Sequence, residues 1–541
     1  MSDDLDDEYT ARLRAHGLIA APNRLAIPGG GPQTVAAVVD RAARERPDDE
    51  ALVGRYSRHS FREVDELANQ AAAALAALGV RPGDRVAASL ANHPDLVVMF
   101  LAAMRLGAIW VGINRPLAAP EKRYLLSDCQ ASVFIADAET VAEVGGRRSE
   151  VPDLDHLVVV DPSDPACEWH SMVRANAGAS RPTVDIDPFA PAAIAYTSGT
   201  TGYPKGAVHS QHNVMVVATC SPHATSQPPG LRAGVCLPLT ILNLMILSPA
   251  TSLMHGFPLV CVDRVDAVGF ADWIERERIH LVSLVPTILH DLITNPAVDP
   301  KQLETLGPPV VGGAECPPAW RALFEERGIH ITNGYGMTEA PTGMTRQYPG
   351  DPRPPGSCGK PIPQLAVTIV DEDDNRLGPG EIGEVCMYAN PTGPFANVYT
   401  PMLGYWNKPE ESAKALRNGL LHTGDIGSLD ADGILTLRDR RNELILRGGS
   451  NVYPAEVERV LAQDLRVGGA AVFGMPHDRL GEHVVAVVEL MPGTTATEDE
   501  LRDHCRRELA RYKVPDRILF APLPRNQMNK VRKRDLRALF E

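Results

Sequence analysis

The chain has 541 residues, 53 Lys and Arg against 68 Asp and Glu, a formal charge of −15, and 44% hydrophobic residues. That acidic balance excludes an extended basic face for duplex nucleic acid or anionic membrane, and the ordinary globular composition excludes collagen-like, disulfide-scaffold and largely disordered classes. The length predicts about three or four folding units.

After an acidic, solvated start (Asp3, Asp4, Asp6, Asp7, Glu8), the first four hundred residues alternate short apolar runs with amphipathic patterns. Periodicity predicts helices over 61–78, 95–106 and 121–128, and strands over 85–89, 133–136, 157–160, 194–197 and 280–285. Strands alternating with helices predict parallel sheets covered on both faces, hence an α/β fold. Residues 233–262 carry no charge, but Gly234, Pro238, Asn243, Pro249, His255 and Pro258 interrupt them. A buried strand and helix fits better than a membrane span. After Gly378 the texture turns to short β pieces at 383–388, 420–422 and 434–437, and the charged segment 437–442 reads as a linker. The final stretch reads helix, strand, strand, helix, strand over 454–463, 468–473, 483–490, 497–511 and 518–521. The expected organisation is a large N-terminal domain, 1–439, built of subdomains with parallel-rich sheets and a β-rich part. A small mobile α+β domain, 440–541, follows it. Nine scattered cysteines without a CxxC pair predict reduced thiols and a cytoplasmic protein.

The strongest local feature is Tyr196-Thr197-Ser198-Gly199-Thr200-Thr201-Gly202-Tyr203-Pro204-Lys205-Gly206, directly after an apolar strand. Glycines let peptide N–H groups approach phosphate oxygens, hydroxyls donate further bonds, and Lys205 supplies a point charge. A Walker A loop requires Ser or Thr after its lysine; here Gly206 follows.

This segment resembles the phosphate loop of the AMP-forming adenylating enzymes, which comprise acyl- and aryl-CoA ligases, peptide-synthetase adenylation domains and firefly luciferase. Further segments resembling that family stand in the family's order along the chain, one before this loop and the others after it. They are Gly107–Pro116, Gly312-Gly313-Ala314-Glu315, Asn333-Gly334-Tyr335-Gly336-Met337-Thr338-Glu339, Gly380–Glu384, Gly404–Asn407, His422-Thr423-Gly424-Asp425, Arg440, Gly448–Pro454 and Pro524–Lys530. The resemblance covers about residue 35 to 541.

By this resemblance Asp425 accepts bonds from the ribose hydroxyls, Tyr335 offers its ring to adenine, and Gly313, Ala314 and Glu315 face the base. The 333–338 motif and Arg440 complete the nucleotide site. Glu339, with Thr200, holds Mg²⁺ near the phosphates. Lys205 and Lys530 are the catalytic cations, Lys530 bridging two mutually repelling anions. Asn442 falls at the hinge, and Gly448 and Gly449 line the route of the coenzyme A thiol. The acyl pocket draws on Thr240, Ile241, Leu242 and Met245, an uncharged run favouring a fatty or alicyclic acid, with an aryl acid close behind. Where the family usually has Pro-Leu-Phe-His this chain has Pro238-Leu239-Thr240-Ile241, and Asn529 replaces the usual glycine before the lysine.

The resemblance implies a ligase converting a carboxylic acid, ATP and CoA into acyl-CoA, AMP and diphosphate through an acyl-adenylate. Two alternatives stay open: a ligase loading a carrier protein, and a catalytically silent acyl- or nucleotide-binding regulator. The expected partners are small molecules, with no nucleic acid and no transmembrane segment; a homodimer is left open.

Overall fold

The computed structural model describes residues 10–19, 24–198, 203–220, 230–312, 316, 318–340, 342–347, 351–352, 354, 356–440, 444–491, 493–524, 531 and 533–540. The chain divides into two compact units. One comprises Met1–Arg115, Leu126–Ala195 and Gly206–Asp439; the other comprises Pro116–Leu125, Tyr196–Lys205 and Arg440–Glu541.

Two sheets lie mainly in the first unit. One has seven strands in the spatial order Gly404–Tyr405, Pro204–Ser210, Pro191–Ser198, Ile109–Gly112, Arg85–Ser89, Val133–Ala136, His156–Val159. Its last five strands run parallel, with Val86 opposite both Trp110 and Val133. Parallel strands need crossovers, and helices supply them. Helix Phe61–Ala77 starts at a capping box in which Ser60 and Glu63 satisfy each other's backbone N–H. Helix Pro94–Arg105 is apolar on all sides and therefore buried. Arg105, at its end, offsets the loss of water by donating to Asn69 Oδ1 (2.6 Å) and the Asp65 carbonyl (2.7 Å).

The second sheet has thirteen strands. From Glu50–Val53 through Leu259–Cys261, Ala233–Val235, Leu281–Leu284 and Val310–Val311 to Thr332–Met337 its ladder is parallel. Beyond Thr332–Met337 it continues antiparallel through Thr342–Arg346, Ser357–Pro361 and Leu435–Arg440. The strands Leu365–Val370, Gly383–Ala389 and Leu421–Leu429 complete this β-rich part. The change of strand direction thus falls at the strand bearing the 333–339 motif.

The charge-free stretch forms strand Ala233–Val235, a helical run from Leu242 to His255 and strand Leu259–Cys261. Its middle, Ile246–Ala250, widens into a π turn at Pro249, which has no N–H to give the regular ladder. Among the described residues no helix is long and apolar enough to cross a membrane. The charged segment 437–442, expected to be a linker, begins as the last residues of a strand, and the division between the two units falls inside it at Asp439 and Arg440. Residues 437–440 complete Leu435–Arg440, and Leu435 and Leu437 pack into the apolar cluster of the β-rich part.

The second unit has a five-stranded sheet of Ser450–Val452, Ile445–Arg447, Gly481–Leu490, Val467–His477 and Arg517–Phe520, the last parallel to Gly481–Leu490. Helices Pro454–Leu461 and Glu498–Glu508 cover one face through Val457, Val460, Leu461, Leu501 and Cys505. In this unit the Lys513 ammonium lies buried between two carboxylates, 2.6 Å from Glu121 Oε1 and 2.7 Å from Glu456 Oε1.

Candidate active site

The phosphate-loop segment joins two neighbouring strands, Pro191–Ser198 and Pro204–Ser210. Gly199, Thr200, Thr201 and Gly202 lie outside the described residues, as does the side chain of Ser198; Thr197 and Lys205 are half-buried at the two strand ends. In the second unit, Tyr203 has its ring 5.1 Å from that of Tyr124 and 4.4 Å from the Arg459 guanidinium. The Tyr124 hydroxyl donates to the Pro204 carbonyl at 3.1 Å, holding the lysine end of the segment.

The 333–339 motif runs along strand Thr332–Met337 into a turn at Thr338 and Glu339. Asn333 pairs with Val311, and its side chain lies outside the description. Gly334 faces Arg346 across the ladder, and a Cβ there would lie 2.9 Å from the Thr345 carbonyl, so the close strand approach requires glycine. The ladder shifts between Tyr335 and Gly336. Tyr335 is 5% exposed, packed beside Ala207, Ala340 and Met344, and its hydroxyl donates to Asp425 Oδ2. Two residues expected in the nucleotide site are therefore joined directly. Gly313, Ala314, Glu315, Asn442 and Lys530 lie outside the described residues, and the side chain of Arg440 is likewise not described.

Glu339 is 7% exposed, and its Oε1 accepts the Tyr405 hydroxyl at 2.7 Å. A carboxylate oxygen suits the hard Mg²⁺ ion, which is commonly bound by one or two carboxylates plus substrate phosphates, so the donor chemistry at this turn fits that group. His209 lies under the same turn. Its Nε2–H donates to the Thr338 carbonyl at 2.8 Å while Nδ1 accepts from Asn213 Nδ2 at 3.1 Å, which fixes the neutral tautomer. Full burial pushes the His209 pKa down to about 4.

Asp425 belongs to strand Leu421–Leu429, which pairs antiparallel with Gly383–Ala389. Cys386 faces His422 and Glu384 faces Ile426, so one residue on the first strand opposes three, Thr423, Gly424 and Asp425, on the second. The Thr-Gly-Asp segment is thus an irregular bulge, a feature common beside functional sites. Gly424 has φ +74°, the left-handed region that glycine adopts without strain. The Thr423 hydroxyl donates to the Val385 carbonyl at 2.7 Å and accepts the Asp425 N–H at 3.1 Å. Glu384, Cys386 and His422 bring three potential metal-ligating atoms within 4.8 Å of one another, and burial pushes the Cys386 thiol up to about 12.

In the expected acyl segment Thr240, Leu242 and Met245 are buried, whereas Ile241 is 41% exposed. Asn92 clamps the segment, accepting the Leu239 N–H at 2.9 Å and donating to the Val235 and Leu237 carbonyls. Asn243 Nδ2 reaches the Met337 carbonyl at 3.4 Å and so ties this segment to the nucleotide motif. Gly448 and Gly449 form the two-residue turn between Ile445–Arg447 and Ser450–Val452, with φ of +57° and +83°. Two consecutive positive φ values match the type I′ hairpin that glycine favours, a conformational reason for both residues besides any ligand.

Sequence reasoning missed His209, Asn92 and the acceptor role of Glu339 toward Tyr405. Tyr405 did stand in a quoted motif, Gly404–Asn407, but nothing in spacing says that a residue 66 positions away meets its hydroxyl.

The model of the family described as AMP-binding enzyme matches residues 39–406, and that of the AMP-binding enzyme C-terminal domain matches 456–530. The chain is 33% identical to an indoleacetate–CoA ligase of Aromatoleum aromaticum over 93% of this chain and 97% of that protein. It is 32% identical to the long-chain-fatty-acid–CoA ligase FadD13 of Mycobacterium tuberculosis, covering 89% and 93% respectively. Among solved structures, o-succinylbenzoate CoA synthetase (MenE) of Bacillus subtilis superposes with a TM-score of 0.80 at 27% identity, covering 92% of this chain and 97% of that one.

Proposed function

Because the chain belongs to the AMP-binding enzyme family and is an AMP-forming acid–thiol ligase of the acyl-CoA ligase type, we propose that it activates a hydrophobic monocarboxylic acid and transfers it to free CoA. The carboxylate attacks the α-phosphate of ATP in line; the new C–O–P linkage forms as the bond to diphosphate breaks. The CoA thiol then attacks the mixed anhydride, forming the thioester and releasing AMP, with the thiol proton passing to solvent.

The observation that carries this reading is the junction of Tyr335, Asp425 and Glu339 around one strand and its turn. Tyr335 serves as the adenine platform while its hydroxyl orients the Asp425 carboxylate toward the ribose. Glu339, fixed by Tyr405, stands on the phosphate side and would hold Mg²⁺, which when bound supplies charge neutralisation for the departing phosphates. Lys205 and the 197–202 segment bind the phosphates, and Lys530 lowers the repulsion between carboxylate and α-phosphate. Gly448 and Gly449 leave room for the pantetheine arm. The uncharged segment through Thr240, Leu242 and Met245 supports an apolar acyl group and offers no cation for a second carboxylate.

A second reading, an aryl acid bearing an O–H or N–H donor, is favoured by Thr240 Oγ1 and Asn243 Oδ1, both buried without a hydrogen-bond partner among the described residues. The similarity to ligases named for indoleacetate, for long-chain fatty acids and for 2-succinylbenzoate supports an acyl- or aryl-CoA ligase without choosing among such acids. A panel of aliphatic, alicyclic, aryl and dicarboxylic acids, assayed for AMP release with and without CoA, tests the proposal. Sustained AMP release with an apolar monoacid that requires CoA and yields thioester is expected. Turnover only with a loaded carrier, or only with dicarboxylates, would overturn it.

A further inference from the structure

The bulge that carries Asp425 leaves backbone groups without ladder partners, and the side chain that satisfies one of them is Glu384. Its Oε1 accepts the Gly424 N–H at 2.9 Å. Its Oε2 lies 3.2 Å from His422 Nδ1 and 3.6 Å from the Arg417 guanidinium. Arg417 is itself fixed by Asp374 through two bonds of 2.8 and 2.7 Å, and Asp374 also accepts Asn418 Nδ2 at 2.8 Å. Glu384 is 8% exposed, so its charge is stabilised by these donors rather than by water. Among the described residues Arg417 is a positive partner of this carboxylate, which favours a hydrogen-bond network at Glu384, Cys386 and His422 over a metal centre.

We propose that Glu384 is a positioning residue for nucleotide recognition: by holding the Gly424 N–H it sets the bulge so that Asp425 meets the ribose hydroxyls. The inference rests on the reading of Asp425 given above. Among the described residues, three groups hold the carboxylate of Asp425 in place. Tyr335 binds it directly, while Glu384 and the Thr423 hydroxyl fix the backbone on which it stands. Without Glu384 the Gly424 N–H turns to water, the bulge relaxes, and Asp425 loses its aim while the remaining acceptors of the site stay.

The test compares initial rates of the full-length enzyme with ATP, 2′-deoxy-ATP and 3′-deoxy-ATP, which reads ribose recognition separately from folding. Wild type should prefer ATP, and Asp425→Asn should lose that preference. For Glu384→Ala the KM for ATP should rise roughly tenfold with a much smaller change in kcat, and the preference for ATP over the deoxy analogues should fall by a similar factor. Glu384→Gln keeps an oxygen for Gly424 but turns an amide N–H toward Arg417, so it should lose about threefold of the preference. It carries the test should the alanine variant fail to fold. Preference unchanged within about twofold in the Glu384 variants, with Asp425→Asn losing it, would overturn the positioning role alone. Preference retained by Asp425→Asn would remove the ribose reading itself, and this inference with it.

Discussion

In the role proposed for Lys530, its ammonium acts on one half-reaction only, because two anions meet in adenylation and nowhere else in the cycle. Lys530→Ala should lower acid-dependent ATP–pyrophosphate exchange by about 10²–10³-fold while still converting supplied acyl-adenylate to thioester. Unimpaired exchange would remove the role. His209 acts through protonation instead. Its folded pKa of about 4 lies below the ordinary 6.5, so between those values the unfolded chain binds the extra proton. The stabilising contribution of the neutral ring is therefore complete above about pH 6.5 and falls as pH drops toward 4. At 1.36 kcal/mol per unit the loss approaches about 3 kcal/mol. His209→Gln should flatten that part of the stability–pH curve, as read by denaturant melts between about pH 4 and 8. Equal slopes in both proteins would contradict the account. Because the ring holds the Thr338 carbonyl, the KM for ATP should rise in the variant as well.

Strand ends and turns, more than strand middles, place the chemistry. Ile109–Gly112 ends at a glycine where a Cβ would sit 2.0 Å from the Thr240 carbonyl. No rotamer change relieves a clash with backbone, so Gly112→Ala should displace the acyl segment, at a cost of about 1–3 kcal/mol in stability. Kinetics should show the KM for the acid rising more than the KM for ATP; equal effects would place Gly112 outside acid recognition. The Thr-Gly-Asp bulge follows the same logic, since its three residues face a single residue of Gly383–Ala389 and leave the ladder. In both places the regular element supplies rigidity, and the departure from regularity supplies the site.

On the scale of the whole molecule, the second unit gathers chain pieces nearly four hundred residues apart around Lys513, Glu121 and Glu456. Burial alone would neutralise Lys513, yet the two carboxylates hold its pKa above the ordinary lysine value. Lys513→Met would leave both carboxylates buried without their cation and should cost about 3–5 kcal/mol. Calorimetry checks it, and adding Glu121→Gln and Glu456→Gln should recover much of the loss by removing the stranded charges. A triple variant no more stable than the single one would show that the cluster holds by packing rather than by charge.

The sequence by itself determined the family, the order of the motifs, the parallel strands at 85–89 and 133–136, and the small α+β run at the end. Those properties depend on neighbours along the chain: apolar period, glycine content, and hydroxyl and lysine spacing. Tertiary structure alone decided that Tyr335 bonds Asp425, that Tyr405 bonds Glu339, that His209 lies under Thr338, and that Glu384 completes the bulge at Gly424. It also decided that 437–440 is strand. Each of these is a pairing between segments 40 to 129 residues apart or a ladder with a remote partner. Local pattern fixes which face of an element is apolar, but the partner of a buried polar atom is chosen only when the sheets have closed around it.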